Sequence, residues 1–150
     1  VSTEENKAIV RRAIEEGFNK GNLAVADEIF TADYTVHAPG LGNLPKGPAA
    51  FKKAIGMWRA AFPDIRMEIQ DMIAEGDRVV NRFITRGTHK AELMGVPPTG
   101  RPITVYGMEC HRIVGGKVVE SWIGDDVPTI MNQIKGGGRP AGGPPPGAPR

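Results

Sequence analysis

Between Gly107 and Asp126 the chain reads "GMECHRIVGGKVVESWIGDD": one histidine, one tryptophan, the sole cysteine and four carboxylates within twenty residues. Imidazoles and carboxyls are the side chains best suited to moving protons near neutral pH, provided that they meet in one cavity. A two-residue turn at Gly115-Gly116 sets Val114 opposite Lys117. In that register His111 faces Glu120, Glu109 faces Trp122 and Val105 faces Asp126. Alternation along each strand gives these six a common face. The opposite face, with Tyr106, Met108, Cys110, Val119 and Ile123, reads as packing. A slip of one residue exchanges Asp126 for Asp125. The bland alternative is a solvated or subunit-contact face with Trp122 half-exposed. The reading carried forward is that the acidic face lines a ligand pocket.

Other reactive residue types offer less. Cys110 reads as a small buried hydrophobe, because no basic or helix-terminal setting that would lower its pKa is visible. His37 and His89 are far apart, and neither falls in a metal-binding spacing, so no metal site is expected.

The elements that must position these groups follow from periodicity. "STEE" at Ser2 to Glu5 has capping-box spacing, and Val10, Ile14, Gly17 and Phe18 recur at helical intervals, predicting a helix from Thr3 to Lys20. A short second helix is expected over Leu23 to Phe30. A third opens at Gly47-Pro48, with Phe51, Ile55, Trp58 and Phe62 on one stripe and Pro63 as its stop. "YTVHAPG" suggests a short strand. After Pro63 the period becomes two, predicting strands over Ile65–Ala74, Arg78–His89, Ile103–Val114 and Lys117–Asp125. "KAELMGVPPTGRP" is a loop, since its prolines cannot serve a central strand. Helices followed by consecutive antiparallel strands imply an α+β fold, a curved sheet wrapped over helices.

Residues 1–135 form the predicted domain. The last fifteen residues, with six glycines and five prolines, are expected to be a disordered tail over 136–150. Without Arg139 and Arg150 the basic residues fall from 19 to 17, equal to the 17 acidic ones. A neutral domain without a basic run speaks against nucleic acid or an anionic membrane as partner. No apolar run of membrane-spanning length occurs, and a single cysteine permits no internal disulfide. The expectation is a cytoplasmic protein.

Several stretches carry a resemblance: "NKAIVRRAIEEGFNKGNL", "HAPG", "AAFPDIRMEIQDMIAEGDRVVNRFITRGTH", "GVPPTGRPI", "GGKVVESW", and Asp126 ahead of "IMNQI". In these the chain resembles the SnoaL-like polyketide cyclases, or ester cyclases, of the nuclear-transport-factor-2-like superfamily. The resemblance implies a cone-shaped barrel of three N-terminal helices packed on a curved, mainly antiparallel sheet, in a homodimer or higher oligomer such as a tetramer. It implies an apolar small-molecule ligand, no cofactor, and ring closure of a polyketide ester by intramolecular aldol condensation. The family's acid/base aspartate falls on Asp126, with Asp125 as the one-residue alternative. The "GTH" histidine is His89, and His111 holds a strand position that the family often fills with an aromatic residue or histidine. Lys90-Ala91 and the doubled acid Asp125-Asp126 depart from the family pattern.

The catalytic set implied is therefore Asp126, Asp125, His89 and His111. An aspartate beside Trp122 would be desolvated and its pKa raised, as an acid/base needs. His89 or His111 would hold the enolate oxygen or orient the aspartate. Trp58, Phe62, Phe83, Met94 and Trp122 would fold the substrate, with His37, Glu109 and Glu120 around it. A non-catalytic hydrophobic binding module is the alternative. An isomerase would need a tyrosine over the substrate carbonyl, and an epoxide hydrolase an arginine between two acids, whereas alternation sends Arg112 to the face opposite Asp126.

Overall fold

The computed structural model describes residues 2–124 and 126–136. The tail expected over 136–150 lies, but for Gly136, outside them. Ser2 and Glu5 exchange capping hydrogen bonds of 3.1 and 3.2 Å at the start of α1, Thr3–Arg12. The helix runs on as a π-helical segment, Ala13–Asn19. A 3₁₀ turn, Leu23–Val25, leads into the short α2, Ala26–Ile29, and then into β1, Phe30–His37. Pro48 opens α3, Pro48–Ala61, where its missing N–H costs nothing.

The remaining strands are β2, Arg66–Glu75, β3, Arg78–Thr88, β4, Pro102–Val114, and β5, Lys117–Ile123. The sheet order is β1-β5-β4-β3-β2; β1 runs parallel to β5 and the other neighbours are antiparallel. One buried face of this mainly antiparallel sheet packs on the helices, as an α+β arrangement requires. A fourth helix, α4, Val127–Ile134, follows β5. Three helices were expected, and this fourth one was missed. Its "IMNQI" stripe spans only two turns, too short for a clear period.

The β4–β5 register departs from the even pairing assumed for the hairpin. Val114 does face Lys117 and Ile113 faces Val118, but a bulge then intervenes and Arg112 pairs with Glu120. Past the bulge His111 faces Ser121, Cys110 faces Trp122 and Glu109 faces Ile123. One extra residue therefore turns Glu120 and Trp122 to the outer face and brings Ser121 and Ile123 inward. On β4 the alternation holds: Val105, Glu109 and His111 point inward and buried. The face read as packing is the outer one, with Tyr106 43% and Met108 61% exposed. Among the described residues no helix is long and apolar enough to cross a membrane.

Candidate active site

Helices and sheet enclose a mostly apolar cavity with a volume of ≈ 130 Å³. Val10, Ile14 and Phe18 form one wall at helical spacing; Phe51, Ile55 and Trp58 of α3 form a second. Gly17 lets these walls close, since a Cβ there would stand 2.8 Å from the Phe51 ring. Met67, Phe83, Val105 and Val118 cover the sheet side.

Five polar side chains interrupt this lining: Tyr34, Thr85, Glu109, His111 and Asp126. His111 and Glu109 are each only 8% exposed. A buried carboxyl must be partnered, and Glu109 Oε2 lies 3.1 Å from His111 Nε2. Asn81 Oδ1, from β3, stands 3.1 Å from the same nitrogen, while Ser121 Oγ lies 2.7 Å from Nδ1. Asn81 and Glu109 stand at Nε2 and Ser121 at Nδ1, so hydrogen-bonding groups flank the imidazole on both sides. Both ring nitrogens are therefore engaged. Ser121 is also a hydrogen-bond donor to the Tyr34 phenol oxygen. Burial pushes the phenol above its ordinary range, the Ser121 hydrogen bond opposes this, and the Glu109 charge adds to the rise. Tyr34 therefore stays protonated and is a donor.

Asp126 occupies the N-cap of α4 and lines the cavity, yet makes no side-chain capping hydrogen bond. The cavity thus holds a carboxyl at one rim and a phenol–serine–histidine–carboxyl chain on the sheet. Such an apolar chamber with a few placed proton-transfer groups suits a small carbonyl-bearing ligand. The profile of the SnoaL-like polyketide cyclases matches residues 8–134, nearly the whole described chain. This chain belongs to that family.

Similar proteins share its span. The nogalonic acid methyl ester cyclase of Streptomyces nogalater is 32% identical over 102 residues, covering 67% of this chain and 76% of that one. The aklanonic acid methyl ester cyclase DnrD of Streptomyces peucetius is 29% identical over 113 residues, covering 73% and 77%. Among solved structures, IdmH of Streptomyces antibioticus superposes with a TM-score of 0.75 at 32% identity, over 87% of this chain and 98% of that one. A SnoaL-like protein of Jannaschia sp. CCS1 reaches 0.81 at 22% identity, over 89% and 94%, which speaks for the shared SnoaL-like fold alone.

Within this SnoaL-like frame the expected site residues separate. Asp126, His111, Glu109, Trp58 and Phe83 line the cavity. Asp125 lies outside the described residues. His89 does not line the cavity: it is 0% exposed, tilted on Phe62, and its Nδ1 accepts from Thr99 N–H at 3.2 Å. His89 N–H donates to Arg101 O and its carbonyl accepts from Gly100 N–H. It therefore fastens the 90–101 loop to the end of β3. Phe62 fills the space beneath it, fully buried, and is core.

His37, Glu120 and Trp122 were expected around the substrate but meet outside the barrel. His37 Nε2 lies 2.7 Å from Glu120 Oε2, and its ring stacks on Trp122 with centroids 5.6 Å apart. The β5 bulge is the cause, and Trp122 is not among the residues that line the cavity with Asp126. Met94, at φ 47°, is exposed in the loop. Arg112 stands beside Glu120 on the outer face, as alternation required. Sequence reasoning offered Tyr34 only as a tyrosine that an isomerase could use, with Tyr106 on the wrong face, and passed over Thr85, Ser121 and Asn81. The signal was present in β3, where Asn81 and Thr85 share the inward parity of Val79 and Phe83. Among the described residues no group of three or more His, Cys, Asp or Glu is arranged to hold a metal ion.

Proposed function

We propose that this protein closes a ring of an apolar, polyketide-type ester by intramolecular aldol addition, with Asp126 as the acid/base and no organic cofactor. One observation carries the reading: the Asp126 carboxyl lines an apolar cavity in a chain related to ester cyclases. Asp126 takes the proton from the carbon next to a carbonyl. The electron pair left behind attacks a second carbonyl of the same molecule, and Asp126 returns the proton to the new alkoxide. Nothing is oxidised or reduced. His111, with both nitrogens engaged, positions its neighbours and does not itself hold the enolate oxygen. The walls of Phe51, Ile55 and Trp58 fold the substrate so that its two carbons meet, which supplies much of the acceleration.

The test is turnover of a methyl-esterified aromatic polyketide acid followed by liquid chromatography and mass spectrometry. Asp126→Asn is expected to lower turnover by about 10² to 10⁴ while the ester still binds. Turnover by that variant at the wild-type rate would overturn the assignment. A wild-type protein that binds the ester and converts none of it would be the passive binding module instead.

A further inference from the structure

The sheet side of the cavity carries proton-transfer groups that the role of Asp126 does not use. Tyr34 on β1 and Glu109 on β4 both line the cavity, one a phenol and the other a carboxyl. They are the two ends of one chain: Tyr34 bonds Ser121, Ser121 Oγ meets His111 Nδ1 at 2.7 Å, and His111 Nε2 meets Glu109 Oε2 at 3.1 Å. Asn81 Oδ1 holds the same Nε2 at 3.1 Å from β3. Four strands thus contribute to fixing two cavity-facing groups. A chain built only to stabilise the barrel would not need either end to reach the ligand space.

A second observation points the same way. Thr85 also lines the cavity, and its hydroxyl oxygen is buried with no hydrogen-bond partner among the described residues. A buried hydroxyl without a partner costs stability, so a ligand oxygen that pairs with it gains affinity.

We propose that Glu109 and Tyr34 form a second acid–base pair in this cavity, able to enolise a bound apolar ketone without the carboxylate of Asp126. Glu109 takes the proton from the carbon next to the carbonyl. The C–H electron pair becomes the carbon–carbon double bond, and the carbonyl π pair moves to oxygen, where the Tyr34 hydroxyl donates a hydrogen bond. In heavy water the protonated Glu109 carboxyl exchanges its proton for a solvent deuteron and delivers that deuteron to the same carbon, so the ketone comes back deuterated. Glu109 and Tyr34 are the catalytic residues of this step; Ser121, His111 and Asn81 are positioning residues. The activity shares with ring closure only the cavity as ligand site.

The experiment follows deuterium uptake at C1 of 2-tetralone in buffered heavy water by proton NMR. The wild type is expected to exchange this carbon faster than buffer alone. Glu109→Gln should lower kcat by about 10² or more, and Tyr34→Phe by about 10- to 100-fold. Ser121→Ala should lower kcat with KM nearly unchanged, as loss of positioning predicts. Asp126→Asn, chosen to abolish ring closure, should cost exchange less than about tenfold, well below the general-base contribution. Circular dichroism melts accompany each variant. If Glu109→Gln does not fold, Tyr34→Phe, which removes one oxygen from a buried ring, decides the matter. Exchange by the wild type no faster than buffer overturns the proposal. So does an Asp126→Asn loss equal to that of Glu109→Gln, or, where Glu109→Gln does not fold, wild-type exchange by Tyr34→Phe. Loss of ring closure in Asp126→Asn with exchange retained separates the two sites.

Discussion

Arg78 lies over the indole of Trp122, its guanidinium carbon 4.8 Å from the ring centroid. The contact is an exposed cation–π pair worth about 0.5–1 kcal/mol, and with His37 it holds Trp122 against the outside of the sheet. The chain's other tryptophan, Trp58, lines the cavity. The two indoles therefore report on opposite sides of one sheet.

Ligand binding should quench fluorescence in Trp122→Phe, which keeps Trp58, and leave Trp58→Phe unquenched. Trp58→Ala should weaken binding about tenfold or more, given about 1.5–3 kcal/mol for a large buried side chain. Equal quenching in both single-tryptophan variants would place Trp122 at the ligand after all.

His89→Ala should destabilise the fold by about 2–4 kcal/mol, from a cavity beside Phe62 and from the lost anchor of Thr99. Thermal or urea unfolding measures this. Turnover well below the melting temperature should change little. A variant of wild-type stability that had lost turnover would return His89 to the chemistry.

Gly107→Ala tests the inner surface of β4. An added Cβ would sit 2.6 Å from Phe83 Cζ, so the ring must move towards the cavity. Overpacking of this kind costs about 1–3 kcal/mol, and the displaced ring should also weaken ligand binding. Calorimetric titration with unchanged affinity would show that Phe83 yields elsewhere.

Asp64 supplies a pH dependence. Burial is the largest single influence and pushes its carboxyl up. Hydrogen bonds from Thr88 Oγ1 and Thr88 N–H, each 2.8 Å, together with its own backbone N–H and the Lys90 charge, outweigh this and hold it below its ordinary value of 3.8. A depressed carboxyl stabilises the fold above its unfolded pKa, and that share is lost as pH falls through the folded value. Asp64→Asn should therefore melt below wild type at pH 7, and the gap should close as the medium is acidified below pH 3.8. A gap independent of pH would mean that shape, not charge, holds Thr88.

Much of this architecture was readable in advance, and the reasons are local. Ser2 and Glu5, Pro48, Pro63 and Gly115-Gly116 mark element ends by chemistry that depends on near neighbours. The inward turn of Glu109 and His111 followed from alternation counted outward from one turn. The count failed at Val118–Glu120, because a bulge is set by how β5 must meet β1 as well as β4. That single residue misplaced Glu120 and Trp122 and hid Ser121. His89 is a different case: its motif is specific, and the histidine stands outside the cavity lining, tied to the 90–101 loop. The pairing of Tyr34 with Ser121 was hidden because the two lie 87 positions apart, and no periodicity joins them.

Tyr34, Asn81, His111 and Ser121 come from β1, β3, β4 and β5 and meet only when these four neighbouring strands have paired. The unfolded chain does not hold their arrangement, so whatever occupies that space binds the folded chain in preference. A compound at 100 times its dissociation constant then adds about 2.7 kcal/mol to the unfolding free energy. Melting-point screening of compound collections can thus rank natural substrates before any reaction product has been seen.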